Sequence, residues 1–157
     1  MSLTIVDLDW NHPHGILLRE AQRQELAQRY GTEDSEPGLA PTFANIATFI
    51  VAYMDNQPVG CVALRAHPSN SNYPGDAEVK RMYVLPGKRG RSFGVATALL
   101  EALEERARKR GWKKLVLETG ILQPDAMRFY TREGYTLIHN FGAYVGEESS
   151  VCFERMI

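Results

Sequence analysis

Residues 84–100 read VLPGKRGRSFGVATALL, passing from the end of an alternating strand through a basic, glycine-bearing loop into a helix. Pro86 ends the strand because it brings no N–H to a ladder. The helix places Ala96, Leu99, Leu103 and Ala107 at i, i+3, i+7 and i+11, with Leu100 beside them, and stops at Gly111. Arg106, Arg108, Lys109 and Arg110 crowd its last turns, where the helix dipole favours cations. At its front, backbone N–H groups without intrahelical partners and the positive dipole end favour an anion. Gly90 and Gly94 let the chain turn sharply and approach a ligand, while Lys88, Arg89 and Arg91 add charge. Together these features describe a diphosphate cradle. Neither G-x-x-x-x-G-K-S/T nor G-x-G-x-x-G occurs, so triphosphate and dinucleotide folds lose their fingerprints.

Working outward, residues 78–85 alternate, with Val79, Arg81, Tyr83 and Leu85 on one face and Glu78, Lys80, Met82 and Val84 on the other. Residues 44–54 and 58–65 are β-branched and apolar runs joined by Asp55-Asn56-Gln57, which predicts an antiparallel hairpin. Residues 3–8 read as a short strand, and residues 12–30 as a helix closed by Gly31. Residues 32–41 and 67–76 read as loops. Beyond the long helix come a strand at 114–119, a short helix at 123–132 ending at Gly134, and closing strands at 135–139 and 151–156. Strands and helices intermingle as α/β or α+β in one domain spanning 1–157, and the hairpins exclude a purely parallel sheet.

The chain has 157 residues, a net charge of −1, 44% hydrophobic and 24% charged residues, the values of an ordinary globular domain. Two cysteines, Cys61 and Cys152, cannot build a disulfide framework, and no His/Cys spacing suggests a metal site. Asp7 and Asp9 near the start are unlike a secretory signal, and no apolar run nears the roughly 20 residues a membrane span needs. The expected location is the cytoplasm. Residues 1–78 hold four basic against ten acidic residues, a net of −6, and residues 79–157 hold fourteen against nine, a net of +5. Either solvated faces differ by chance in charge, or the second half binds an anion while the first, with Glu33, Asp34 and Glu36, attracts a cation; composition does not choose between the two. The basic residues form no aromatic-interleaved stripe and the pI is about 6.4, which argues against nucleic acid.

The loop also contains a literal G-x-S-x-G, Gly90-Arg91-Ser92-Phe93-Gly94. Its distance from the strand is too long for a nucleophile turn, although Ser92, Asp125 and His139 follow a hydrolase order. Another pattern covers more of the chain. Arg91-Ser92-Phe93-Gly94-Val95-Ala96 resembles the Q/R-x-x-G-x-G/A pyrophosphate motif of the GNAT N-acetyltransferases, and residues 79–86 resemble that family's fourth strand. Residues 126–135, AMRFYTREGY, resemble its A-x-x-L/F-Y-x-x-x-G-F/Y motif. The ordered set covers residues 46–140, and Glu118-Thr119-Gly120, Phe141-Gly142-x-Tyr144 and Ser150-x-Cys152-Phe153-Glu154 further resemble a bacterial branch of small acetyltransferases.

That resemblance implies a mixed, mainly antiparallel sheet whose fourth and fifth strands splay around the pantetheine of acetyl-CoA. Backbone groups of Met82, Tyr83 and Val84 would bond the pantetheine, and one N–H there would polarise the thioester. The amides of Arg91, Ser92, Phe93, Gly94, Val95 and Ala96, after Gly90, would hold the pyrophosphate, with Lys88 and Arg89 reaching the 3′-phosphate. Thr119, Gln123 and Tyr130 complete the implied coenzyme contacts. Tyr130 matches the family's tyrosine that protonates the departing sulfur, and Glu78 is the expected base, with Glu118 behind it. Arg65 and Tyr144 are weaker candidates for acceptor contact. The implied acceptor is the primary amine of a small molecule or peptide; no metal, nucleic acid or membrane is expected, and a homodimer is compatible. A coenzyme-binding module without turnover and a serine hydrolase using Ser92 stay open as alternatives.

Overall fold

Asp55 and Asn56 both adopt left-handed backbone, with φ of 52° and 65°, the geometry a two-residue hairpin turn requires. They join β2 (Thr48–Met54) to β3 (Gln57–Ala66) in a computed structural model that describes residues 2–32, 37–69 and 71–157. Glu33, Asp34 and Glu36 lie outside the described residues. The remaining elements are β1 (Leu3–Asp7), α1 (Pro13–Tyr30), β4 (Asp76–Val84), α2 (Val95–Lys109), β5 (Lys114–Gly120), α3 (Pro124–Arg132), β6 (Thr136–Ile138) and β7 (Ser150–Met156). The strands form one sheet in the order β1-β2-β3-β4-β5-β7-β6. Only β4 and β5 run parallel; every other pair is antiparallel. The mixed, mainly antiparallel architecture is the one expected.

Two expectations need correction. Residues 44–47 are not strand: 44 and 45 belong to a turn in which Asn45 Oδ1 accepts from the Thr42 amide at 2.9 Å and its Nδ2 donates to the Ala40 carbonyl, and the strand starts only at Thr48. The regular alternation of β4 also fails. Arg81 takes φ 57°, and the register against β3 slips between Cys61 and Ala63, which marks a bulge. Val79, Met82 and Val84 thereby share the face covered by α2, while Tyr83 packs on the other face.

The core is two-sided. Val95, Leu99, Leu100, Leu103 and Ala107 of α2 pack with Tyr130 of α3 against Ile50, Val62, Leu64, Val79 and Leu117. Gly60 permits this approach, since a Cβ there would stand 2.9 Å from the Tyr83 carbonyl and 3.0 Å from Leu99. On the opposite face, Leu18 of α1 packs against Phe49, Val51, Cys61, Ala63 and Tyr83. Buried Glu104 of α2 accepts from Tyr135 Oη at 2.8 Å and from Arg155 Nη1 at 2.9 Å, tying α2 to the far end of the sheet.

Cys61 is fully enclosed, its thiol 3.4 Å from the Arg81 carbonyl, and burial pushes that thiol up to about 12. A thiol whose folded value lies above its unfolded one costs nothing below pH of about 9, and destabilises the fold as pH climbs toward the folded value. Folding stability, measured by denaturant titration, should therefore fall by about 1.4 kcal/mol per pH unit above roughly pH 9 on account of Cys61. Cys61→Ala should remove that component of the slope; an unchanged slope would show that the thiol ionises freely in the fold.

Candidate active site

β4 and β5 begin as partners and then part. They pair at Asp76↔Lys114, Ala77↔Leu115 and Glu78↔Val116, and no pairing follows although β4 continues to Val84 and β5 to Gly120. On its other side β4 keeps β3, and the Leu85 amide donates to the Val59 carbonyl at 2.9 Å. Strand alternation therefore turns the Met82 and Val84 amides and carbonyls away from β3, into the gap. The two carbonyls already have partners: Gln22 Nε2 donates to Met82 O at 2.9 Å and Arg89 Nε donates to Val84 O at 2.7 Å. The gap opens into a cavity of about 440 Å³, walled by α1, β4, the loop after β4, β5 and α3.

One end of the cavity meets the front of α2. Gly90 and Gly94 take φ of 105° and 67°, and Gly94 caps the helix without any side-chain hydrogen bond. The first intrahelical bond there is from the Ala98 amide to Gly94 O, so the amides of Val95, Ala96 and Thr97 have no intrahelical acceptor. Gly90, Arg91, Gly94 and Ala96 line the cavity. The side chains of Lys88, Ser92, Phe93 and Val95 do not: Ser92 is exposed, Val95 is 1% exposed in the core, and Lys88 Nζ lies 5.4 Å from the ring of Phe93, which packs on the core. Arg89 is held by Glu25 at 2.8 and 3.1 Å while it caps Val84. Uncapped amides, a glycine turn and cationic side chains fit a diphosphate.

Several wall residues carry no signal in the sequence. Gln22, Glu25, Leu26 and Arg29 come from α1, whose periodicity marked only a core face. Arg128 and Arg132, one turn apart on α3, also face the cavity, and their spacing was a signal that could have found them. Arg29 reaches across to the Leu122 carbonyl and to Asp125, so α1 spans the gap from β4 to the start of α3.

At the inner end stand Tyr130, Thr119, Glu118 and Lys80, with Gln123 nearby. Tyr130 is 6% exposed, and burial first and the Glu118 charge second hold its hydroxyl well above the ordinary tyrosine range, so it keeps its proton. Glu118 Oε2 accepts from Ser150 Oγ at 2.7 Å. Glu78, the expected base, is 0% exposed and does not line the cavity. Its Oε1 accepts from Arg65 Nε at 2.8 Å and its Oε2 from Tyr144 Oη at 2.9 Å, with Lys80 Nζ at 3.9 Å; Lys80 donates to the same hydroxyl at 3.0 Å. Among the described residues no hydrogen bond joins Ser92, Asp125 and His139, and Asp125 pairs with Arg29 at 3.6 Å instead. No group of three or more potential metal ligands occurs among the described residues, and no helix among them is long and apolar enough to cross a membrane.

Residues 14–135 match the acetyltransferase (GNAT) family. The chain is 36% identical over 107 residues to an IAA acetyltransferase of Azospirillum brasilense, covering 68% of this chain and 66% of that one. It is 37% identical over 91 residues to the aminoalkylphosphonate N-acetyltransferase of Salmonella typhimurium, covering 57% and 56%. The matched region thus spans less than two thirds of these relatives' length. A Klebsiella pneumoniae structure assigned by its name to the acyl-CoA N-acyltransferases superposes with a TM-score of 0.79 at 30% identity, over 98% of this chain and 97% of that one. The Thermoplasma acidophilum PaiA N-acetyltransferase, solved with coenzyme A, shares the fold at a TM-score of 0.70 and 17% identity over the whole of both chains. The parted strands, the uncapped helix front and the matched profile agree: this chain belongs to the GNAT family of acetyltransferases.

Proposed function

We propose that the protein moves the acetyl group of acetyl-CoA onto a primary amine of a small molecule by direct attack within a ternary complex. The observation that carries this reading is the parting of β4 from β5 beyond Glu78, with the uncapped front of α2 at one end of the gap and Tyr130 and Glu118 at the other. Acetyl-CoA supplies the activated acyl group as a thioester. The amides of Val95, Ala96 and Thr97, with Arg91, Arg128 and Arg132, hold its phosphates. The Met82 amide donates to the thioester carbonyl oxygen, where negative charge develops during attack.

The chemistry needs a neutral amine and a protonated leaving sulfur. Tyr130 keeps its proton through burial and gives it to sulfur as the C–S bond breaks and the C–N bond forms. Glu118, which lines the cavity, takes the proton from the amine. Glu78 was the first expectation for this role; enclosed and bonded through both oxygens, it instead braces Tyr144 and Lys80 behind the site. The Salmonella relative, named for aminoalkylphosphonates, supports a small amine as acceptor.

Incubation of the protein with acetyl-CoA and a panel of small primary amines should release free thiol and yield an acetamide detectable by mass spectrometry. Saturable coenzyme binding with no thiol release across the panel would replace catalysis by a binding role. Tyr130→Phe should lower kcat by about 10²-fold or more while leaving coenzyme affinity within about twofold. Glu118→Gln should lower kcat similarly and abolish the acidic limb of the pH–rate profile, whereas Glu78→Gln should leave that limb in place. Loss of the limb in Glu78→Gln alone would return the base to Glu78.

A further inference from the structure

The gap between β4 and β5 is closed at one end and open at the other. The strands pair only where they begin, at residues 76–78 and 114–116, so the gap opens toward their last residues, Val84 and Gly120. A chain of charged side chains crosses that open end. Arg89, in the loop after β4, donates to Glu25 of α1 at 2.8 and 3.1 Å. Glu25 lies 4.0 Å from Arg29, one turn on, and Arg29 lies 3.6 Å from Asp125 of α3. Arg29 Nη1 also donates to the Leu122 carbonyl at 3.4 Å. All four charged residues line the cavity. The end of α1 thus links the segment after β4 to the segment after β5, two places that strand pairing leaves apart.

Tyr30, at the tip of α1, makes the same crossing. A Cβ built on Gly120 would overlap the Tyr30 hydroxyl and stand 3.3 Å from Gln123 Nε2, which donates to that hydroxyl at 3.4 Å. Gly120 is not among the glycines with positive φ, so its missing side chain makes room for Tyr30 and serves no turn. The body of α1 is fastened more firmly. Leu18 is buried against the sheet, and Gln22 Nε2 donates to Met82 O at 2.9 Å. At the tip, the side chains of Glu25, Arg29, Arg89 and Asp125 are between 29% and 58% exposed. Ion pairs of that exposure are individually weak and are screened by salt. A seated helix body with a lightly tied tip opens locally without unfolding the rest.

We propose that the last turns of α1 form a strap across the open end of the gap, which must part for the coenzyme to enter or leave. An arm lying between the strands beyond Glu78 sits behind this strap. The inference rests on the coenzyme reading above and concerns the rate of exchange, not a contact to the coenzyme.

The test is stopped-flow exchange of CoA on the full chain, with the affinity taken from calorimetry. Arg29→Gln, which removes both ion pairs from the tip, should raise the association and dissociation rates together, each about fivefold, and leave Kd within about twofold. Gly120→Ala, which the backbone accepts and which displaces only the far end of the Tyr30 ring, should do the same. In roughly 0.5 M salt the wild type should approach the rates of Arg29→Gln, since screening weakens the same pairs. A change confined to one of the two rates would make these residues coenzyme contacts and overturn the strap, and so would unchanged rates in both variants. Failure of the wild type to bind CoA would overturn the coenzyme reading itself.

Discussion

Every backbone N–H and C=O that leaves water must find a partner, and the second half of β4 does not find one in β5. The strands share three residue pairs and then separate, so the Met82 and Val84 amides face a cavity instead of a ladder. An unpaired buried amide costs about 1–3 kcal/mol, which is the reason such an edge is not found in the middle of an ordinary sheet. The rest of the molecule is arranged around this deficit. Arg81 holds φ 57° at the bulge, a conformation costing on the order of 1–3 kcal/mol, and so changes which side chains face α2 and which face α1. α2 then brings to the same cavity a helix front whose first amides have no intrahelical acceptor.

Charge is distributed to match. The basic loop and the outward face of α3 give the cavity its cations, while Glu25 neutralises Arg89 and fixes it as a strand cap. Behind the sheet, Glu78, Arg65, Lys80 and Tyr144 satisfy one another in a buried cluster. Such a cluster is sensitive to loss of any one member, since a charge left alone in the interior is far more costly than the pair is favourable. Its value here is positional: Lys80 lines the cavity and Tyr144 reaches β4 from the connection before β7.

Much of this was legible in the residues. The run from Pro86 through Gly94 into Val95 declares a glycine turn into an uncapped helix front, and the Asp55-Asn56 turn declares the hairpin. The core stripe of α2 is legible because local periodicity determines it. What escaped notice depends on distant partners. The slip at Arg81 follows from pairing with β3, which no period-2 pattern reveals, so simple alternation places Val79 and Tyr83 on one face. The enclosure of Glu78 follows from Arg65 and Tyr144, thirteen and sixty-six residues away. Gln22 and Arg29 lie on a helix whose sequence marks only its buried stripe, and Gly60 needs α2 in place before its missing Cβ has meaning.

The narrow contact between β4 and β5 also divides the sheet mechanically. β1 to β4 form one antiparallel block and β5 to β7 another, joined in the sheet by three residue pairs and, just before them, by the Lys113 and Lys114 amides donating to the Gly75 carbonyl. Fluctuations of the native state should concentrate along such a seam, because few backbone bonds must break to open it. A molecule lying in the gap laces the two blocks together, so it acts as a removable strand whose occupancy sets the rigidity of the whole sheet. Resistance to heat would then climb with the logarithm of its concentration.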